Sequence, residues 1–290
     1  MITGIHAIND GSPIICNSYK YTKLTCKPIK GERTAPPANR FGEEIHSNVW
    51  GPSPTASLGG HCYYVTFTDD HTHYTCIDII KTKDQTLSSY CMFTAWAQMQ
   101  YGAKIKWLRS DHSGEYTSHK FTKFLQEEGT ECRLTMHNTL QHNRVAESLN
   151  HCLLEQVCTM LHQSTLPKTL WGEALHFAVW LKNWTSTRAL GSNTTPFKKL
   201  TGNKPNLSGV PEWGQTIWVH SGTRTKLNAH GIKARWVGYN PKSPHVHHIY
   251  WTHKNSVSVE QNIKFTFLTF TISLGPPHII TLLQALMPQV

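Results

Sequence analysis

Val145, Leu149, Leu153, Val157 and Leu161 stand at strict four-residue spacing inside the stretch His142 to Gln163. That spacing writes one apolar stripe along a long helix, and the stripe has to be buried against other elements. The runs before it supply them. Glu44 to Trp50 reads as a strand closed by Gly51 and Pro52. Cys62 to Thr68 and Tyr74 to Ile80 are β-rich and joined by a short polar connection, which predicts a hairpin. Asp84 stands where an N-cap belongs, ahead of an amphipathic segment that runs to Tyr101 and meets Gly102. Ile105 to Arg109 is a short strand, Ser118 to Glu128 a helix stopped by Gly129, and Cys132 to Met136 another strand. After the long helix, Lys168 to Trp184 is a further helix entered through Pro167. Strand, hairpin, helix, strand, helix, strand, helix, helix is the order of a mixed α/β domain.

Past Pro205 the character changes. Trp213 to His220, Ala234 to Tyr239, His248 to Trp251 and Ser256 to Phe265 are short β-like runs separated by turns, the pattern of a small β-barrel. Residues 1 to 39 lack sustained periodicity and end in a Pro-rich basic stretch that reads as a linker. Residues 266 to 290 are rich in Thr, Leu and Pro and fit neither module. The apolar tract from Ile263 to Val290 is broken by Pro276 and Pro277, too interrupted to span a bilayer. Eight cysteines occur without a C-x-x-C pair, which argues against a disulfide framework and for a reducing compartment. The expectation is a soluble protein of the nucleus or cytoplasm.

Which chemistry the α/β part could carry turns on its few carboxylates. Metal-assisted phosphoryl transfer needs carboxylates that converge on divalent cations, from a strand end and from a helix passing beside it. Asp111 directly follows the strand Ile105 to Arg109, and Glu147 lies one turn into the long helix, off its apolar stripe. The spacing alone is weak evidence, because six Asp and twelve Glu make some Asp–Glu pair common at any chosen offset. From spacing alone, a solvated Asp and a helix-surface Glu are the favoured explanation. The charge balance adds a direction: 28 Lys and Arg against 18 Asp and Glu give +10, an excess that attracts polyanions. Trp171, Trp180 and Trp184 on one helix read as packing residues before base-stacking platforms. His245, His247, His248 and His253 fall in a turn and hairpin and read as no metal site.

Three strings carry a resemblance. His46-Ser47-Asn48-Val49-Trp50-Gly51-Pro52, Arg109-Ser110-Asp111-His112-Ser113-Gly114-Glu115-Tyr116 and Gln141-His142-Asn143-Arg144-Val145-Ala146-Glu147-Ser148-Leu149-Asn150 resemble the three catalytic blocks of Ty1/copia-type retrotransposon integrases. Tyr64 to Asp70, Leu166 to Trp171 and Trp236 to Tyr239 also look like that family, and the likeness runs from about Cys16 to Phe265 in the right order. It implies a ribonuclease-H-like mixed five-stranded sheet with flanking helices at 40–205 and an SH3-like β-barrel at 206–265. It implies magnesium- or manganese-dependent DNA joining by an Asp, Asp, Glu triad, with DNA as partner, RNA as a further polyanion, and action as a homo-oligomer without membrane.

Asp111 and Glu147 match the second and third triad members, but the first is Asn48. An amide oxygen can touch a cation, yet it brings no charge. The other departures are His112 and Ser113 after Asp111, and Arg144 where the family has Gly. Upstream, Cys16 matches the first half of a zinc-binding C-x-x-C whose second position is Tyr19, and His6 stands alone, so residues 1–39 are expected to hold no zinc. Lys104, Lys106, Arg109, Lys120, Lys123, Asn143 and Arg144 are the nucleic-acid contacts expected around the blocks. The reading is an integrase-type protein whose catalysis is impaired at Asn48. Its rivals are a still-active integrase and a host-recruited DNA-binding or interaction module.

Overall fold

A computed structural model describes residues 36–111, 113–134, 144–191, 194–220, 231–240 and 243–265. The first sheet is built from β1 (Glu44–Trp50), β2 (Tyr63–Asp69), β3 (Thr75–Ile80), β4 (Trp107–Ser110) and β5 (Glu131–Leu134), in the order β3-β2-β1-β4-β5. β1, β2 and β3 pair antiparallel, whereas β4 runs parallel to both β1 and β5. This is the ribonuclease-H-like mixed sheet that the resemblance implied, with β1 at its centre.

The two faces of β1 go to different cores, because successive strand residues point to opposite sides. Ile45 and Val49 join Val65, Phe67 and Leu108 under helix α1 (Thr86–Tyr101) and helix α3 (His119–Glu128), which contribute Tyr90, Phe93, Phe121 and Leu125. A four-residue turn of helix, α2 (Gly114–Thr117), precedes α3. On the other face Trp50 and Tyr64 pack against α4 (Arg144–Ser164) and α5 (Trp171–Trp184) through Leu153, Val157, Trp171 and Leu175. Leu149 and Leu161 of the four-residue stripe are partly buried against the same cluster.

The element ends follow local chemistry. The helix expected to start at Asp84 instead opens with a tight turn at Lys83–Gln85, where Thr82 is the cap and the Gln85 amide oxygen accepts from the Thr82 N–H. Thr is the better cap here because Gln85 sits three residues on and closes a reciprocal box. Gly102, at φ 62°, ends α1 as expected, since a Cβ would be strained there. The strand expected at Ile105 to Arg109 begins at Trp107, because the Lys106 N–H is spent on Gly42 in the preceding loop.

β3 is an edge strand, and an edge leaves backbone groups open to unwanted pairing. α5 closes part of it: Asn183 accepts from the Thr75 N–H at 2.9 Å and donates to the Thr75 carbonyl at 2.8 Å. Beside it the Lys182 amine donates to the His73 carbonyl and to Thr75 Oγ1. Burial pushes that amine down to about 7 and the neighbouring Cys76 thiol up to about 12.

A base whose folded pKa is lowered penalises folding fully below that pKa, and the penalty fades as pH rises towards the unfolded value. Stability is therefore expected to rise by roughly 1–2 kcal/mol from pH 7 to about 9. From about pH 9 to 10.5 the curve flattens, as the unfolded chain ionises its Cys76 while the folded thiol stays protonated, and above that it falls. Urea unfolding of the parent and of Lys182→Met at both pH values checks this. An equal rise in the two proteins would remove Lys182 as the cause.

The second sheet is antiparallel throughout, in the order β10-β6-β7-β8-β9, formed by β6 (Thr216–His220), β7 (Gly231–Asn240), β8 (Ser243–Trp251), β9 (Ser256–Glu260) and β10 (Ile263–Phe265). The run expected as one strand from Ser256 to Phe265 is split at Gln261 and Asn262. A short helix, α6 (Pro196–Thr201), lies between α5 and this sheet; Thr195 caps it and Pro196 opens it. The second sheet buries Ile217, Ala234, Trp236 and Ile249 in the same cluster as Leu153 and Ala174, so α4 and α5 serve both sheets. Across this junction His248 Nδ1 lies 2.8 Å from Glu173 Oε2. Among the described residues no helix is long and apolar enough to cross a membrane. The zinc remnant expected at 1–39, including Cys16 and His6, and the tail 266–290 lie outside the described residues, save for the linker's last four.

Candidate active site

The site is assembled where β1, β4 and α4 meet. β1 and β4 pair in parallel with His46 opposite Arg109. Two residues further along each strand stand Asn48 and Asp111, at the same end of the sheet. Asn48 shares its strand face with Glu44 and His46, the face that α4 covers. Its side chain is buried at 9 % exposure, and its Oδ1 accepts a hydrogen bond of 3.2 Å from Asn150 Nδ2 on α4. Thr66 Oγ1 donates to the Asn48 carbonyl from β2.

Asn150 is the residue that sequence reasoning passed over. It stands in the third block, three residues after Glu147. The spacing was the available signal, since residues three apart share a helix face. Its amide nitrogen ties α4 to β1, while its Oδ1 is buried without a partner among the described residues. Glu147 is carried by the first turn of α4, one turn before Asn150; its side chain lies outside the described residues, as do His112, Asn143 and the Arg144 side chain.

Asp111 leaves β4 and folds back on itself. Its Oδ1 accepts from the Ser113 N–H at 3.2 Å and from Ser113 Oγ at 2.7 Å. Beyond it, Glu115 pairs with Lys83 at 2.8 Å. The hydrogen bond that Lys83 donates to Glu115 raises the Lys83 pKa, with a smaller contribution from Asp111. Burial pushes the Glu115 carboxyl up, but the bonds from Lys83 and Ser113 outweigh it and leave the group below its usual range. Lys83 thus brings a cation to the Asp111 end of the sheet, from a position distant in sequence.

The expected basic residues divide into three groups. Arg109 donates to Glu44 at 2.7 Å, and Arg133 reaches the same carboxylate at 3.5 Å, so Glu44 takes up much of their charge. Lys106 lies over the Trp107 ring and 3.7 Å from Glu43. Lys104 and Lys106 lie just before β4, a strand length away from Asp111. Lys120 and Lys123 are exposed on α3, Lys123 facing Glu127 one turn on. Asp69 and Asp70 are buried at the opposite end of β1. Asp69 accepts from Gly42 and Thr72, and Asp70 holds His46 at 3.1 Å. Asp69 lies across from Ile45, three residues back from Asn48 and about 10 Å along the strand. Neither acid stands in for a carboxylate at position 48.

Divalent cations of the magnesium type need several hard oxygens, preferably anionic. The described part of this site offers one carboxylate, with an oxygen engaged by Ser113, and one amide oxygen, engaged by Asn150. Among the described residues no group of three His, Cys, Asp or Glu could hold a metal. These two donors alone do not make up a two-cation centre, and the Glu147 carboxylate lies outside the described residues.

No family model matches the chain. Among curated proteins it is 36 % identical over 197 residues to a retrovirus-related Pol polyprotein from transposon TNT 1-94 of Nicotiana tabacum. That match spans 67 % of this chain and 15 % of the relative. It is 30 % identical over 200 residues to the Pol polyprotein from transposon RE2 of Arabidopsis thaliana, spanning 68 % of this chain and 14 % of that one. The Ty1-LR3 Gag-Pol polyprotein of Saccharomyces cerevisiae is 27 % identical over 65 % of this chain and 11 % of its own length. The chain therefore spans only a small part of the polyproteins it matches. Among solved structures, a simian T-cell lymphotropic virus intasome in complex with PP2A regulatory subunit B56 gamma aligns at a TM-score of 0.47 and 13 % identity, over 87 % of both chains. The HTLV-2 integrase catalytic core domain in complex with magnesium aligns at 0.41 and 13 %, over 55 % of this chain and 96 % of that one. Both structural likenesses are too weak to carry an argument.

Proposed function

The chain is a homologue of the Ty1/copia-type retrovirus-related Pol polyproteins, and on that premise we propose that it is the integrase part of such a polyprotein, impaired in catalysis at Asn48. The substrate class is DNA, the element's own ends and a target duplex, and the place of action is the nucleus. The observation that carries this reading is the hydrogen bond from Asn150 to Asn48. It brings the helix that bears Glu147 against the strand that bears Asn48, while the parallel register sets Asp111 on the adjacent strand at the same end. That proximity supports assigning the three positions, scattered over a hundred residues, to one site.

The same bond supports impairment. Where the joining chemistry calls for an anion, the site holds a neutral amide whose oxygen is already used. The assignment of Asp111 and Glu147 as acids, of divalent metal as the missing partner and of the exposed lysines as phosphate contacts belongs to this proposal. So does assembly of several copies on two DNA ends.

The test is joining of a labelled terminal-repeat oligonucleotide to plasmid DNA in magnesium or manganese, by the unmodified chain and by Asn48→Asp. Joining by Asn48→Asp alone supports the proposal. Joining by the unmodified chain overturns the impairment. If both bind DNA and neither joins it, a DNA-binding module without catalysis becomes the better reading.

A further inference from the structure

Ser113 stands two residues after Asp111, where the pattern that the second block resembles has Gly. A glycine there carries nothing that could touch the carboxylate before it. The serine backbone, at φ −64° and ψ 150°, is ordinary extended chain and needs no glycine. What the serine adds is a hydroxyl, and the fold spends it on the site. Ser113 Oγ donates to Asp111 Oδ1 at 2.7 Å, and the Ser113 N–H reaches the same oxygen at 3.2 Å. Two donors on one oxygen close a small ring and fix which way the carboxylate faces. The shorter of the two bonds exists only because residue 113 has a side chain.

That hydroxyl has one hydrogen and two carboxylates in reach, since Glu115 also takes a hydrogen bond from Ser113. The two acids cannot both hold it. Lys83 decides between them: its amine already pairs with Glu115 at 2.8 Å and supplies that carboxylate with a donor. The tight turn Lys83–Gln85 keeps the lysine at the head of α1. A chain of contacts thus runs from α1 through Lys83, Glu115 and Ser113 to Asp111 at the end of β4, and it leaves the hydroxyl hydrogen with Asp111. The hydroxyl has no other duty, because α2 receives no side-chain cap from Ser113.

A cation binding at Asp111 has to compete with this ring. Hydrogen bonds to an ionised oxygen are about twice as strong as those between neutral groups. The hydroxyl must turn away before Oδ1 can serve as a ligand. We propose that Ser113 is a positioning residue that works against catalysis, its hydroxyl holding the Asp111 carboxylate onto its own chain and weakening its hold on a divalent cation. The inference rests on the reading of Asp111 as a cation ligand. It is separate from the loss at Asn48, which removes a charge, whereas Ser113 leaves the charge and occupies the oxygen. Asn48→Asp leaves this contact in place.

The experiment uses the whole chain carrying Asn48→Asp, with manganese alone as the probe and no DNA. Unbound manganese is counted by its electron paramagnetic resonance, and the further change Asp111→Asn shows how much ion binds elsewhere. Ser113→Ala in this background is expected to lower the half-saturating manganese concentration about tenfold. Ser113→Thr keeps the hydroxyl and is expected to stay within about threefold of its parent. In DNA joining, Ser113→Ala should lower the manganese concentration for half-maximal rate and leave the maximal rate within about threefold. Unchanged manganese affinity in Ser113→Ala, with unaltered thermal unfolding, overturns the proposal, as does equal tightening by Ser113→Thr. Manganese binding that ignores Asp111→Asn overturns it together with the metal-ligand reading. Because binding is read without DNA, the two ideas fail separately. Tightening by Ser113→Ala in a chain that joins no DNA supports the role of Ser113 and removes the integrase reading. Joining by Asn48→Asp, with no change of manganese affinity in Ser113→Ala, keeps that reading and removes the role.

Discussion

Asn48→Asp is expected to raise metal-dependent DNA joining by about a thousandfold or more over the unmodified chain. The substitution keeps the size and the strand position of the side chain. It exchanges an amide for a carboxylate beside Asp111, and cations of the magnesium type favour anionic oxygen. Asn150 is already placed to donate to one oxygen at position 48, at 3.2 Å, which would orient the new carboxylate and leave its second oxygen free. The buried Asn150 Oδ1, without a partner among the described residues, would remain as it is.

The control is the double variant Asn48→Asp/Asp111→Asn, expected to lose the gained activity. Asn150→Ala in the Asn48→Asp background is expected to lower the rate while leaving DNA affinity unchanged, because it removes a bond that orients the carboxylate. If Asn48→Asp joins DNA no faster than the parent, or the double variant joins equally fast, the site is not where these residues place it.

Trp236→Ala is expected to cost about 3–5 kcal/mol of folding stability. Trp236 is fully buried, edge-on to Phe177 of α5 at 5.1 Å and to Tyr239 at 5.0 Å, with its N–H on His247. Removing it opens a cavity at the junction between the second sheet and α5. Val259, 51 % exposed on β9, is the contrast, and Val259→Ala is expected to stay within about 0.5 kcal/mol. Because α4 and α5 belong to one buried cluster with the second sheet, Trp236→Ala should lower the urea midpoint seen by far-ultraviolet dichroism and by tryptophan fluorescence together. A second sheet that melts earlier while the first sheet keeps its midpoint would show the two to be energetically separate.

The candidate positions Asn48, Asp111 and Glu147 rest on the resemblance of three local blocks, and the order of strands and helices was legible in the chain itself. Each depends on residue type and near spacing. The apolar stripe of α4 and the Gly102 and Gly129 stops are local facts of helix geometry, and the structure keeps them within a residue or two. The start of α1 was misplaced because Asp84 and Thr82 are both good caps. Only the Gln85 side chain, reaching back to Thr82, decides between them.

What local pattern could not supply are the pairings across long stretches of chain. Nothing near position 48 announces that Asn150 will satisfy it, or that Glu44 will absorb Arg109 and Arg133. Those outcomes are set by strand register and by which helix crosses which face. Nor does the sequence show that the second sheet shares its core with α5, since Trp236 and Phe177 are each apolar in their own right and meet only in the fold. Residue chemistry along the chain determined which elements form. Tertiary structure decided which polar groups are already spoken for, because burial forces each one to find a partner wherever the fold has put it.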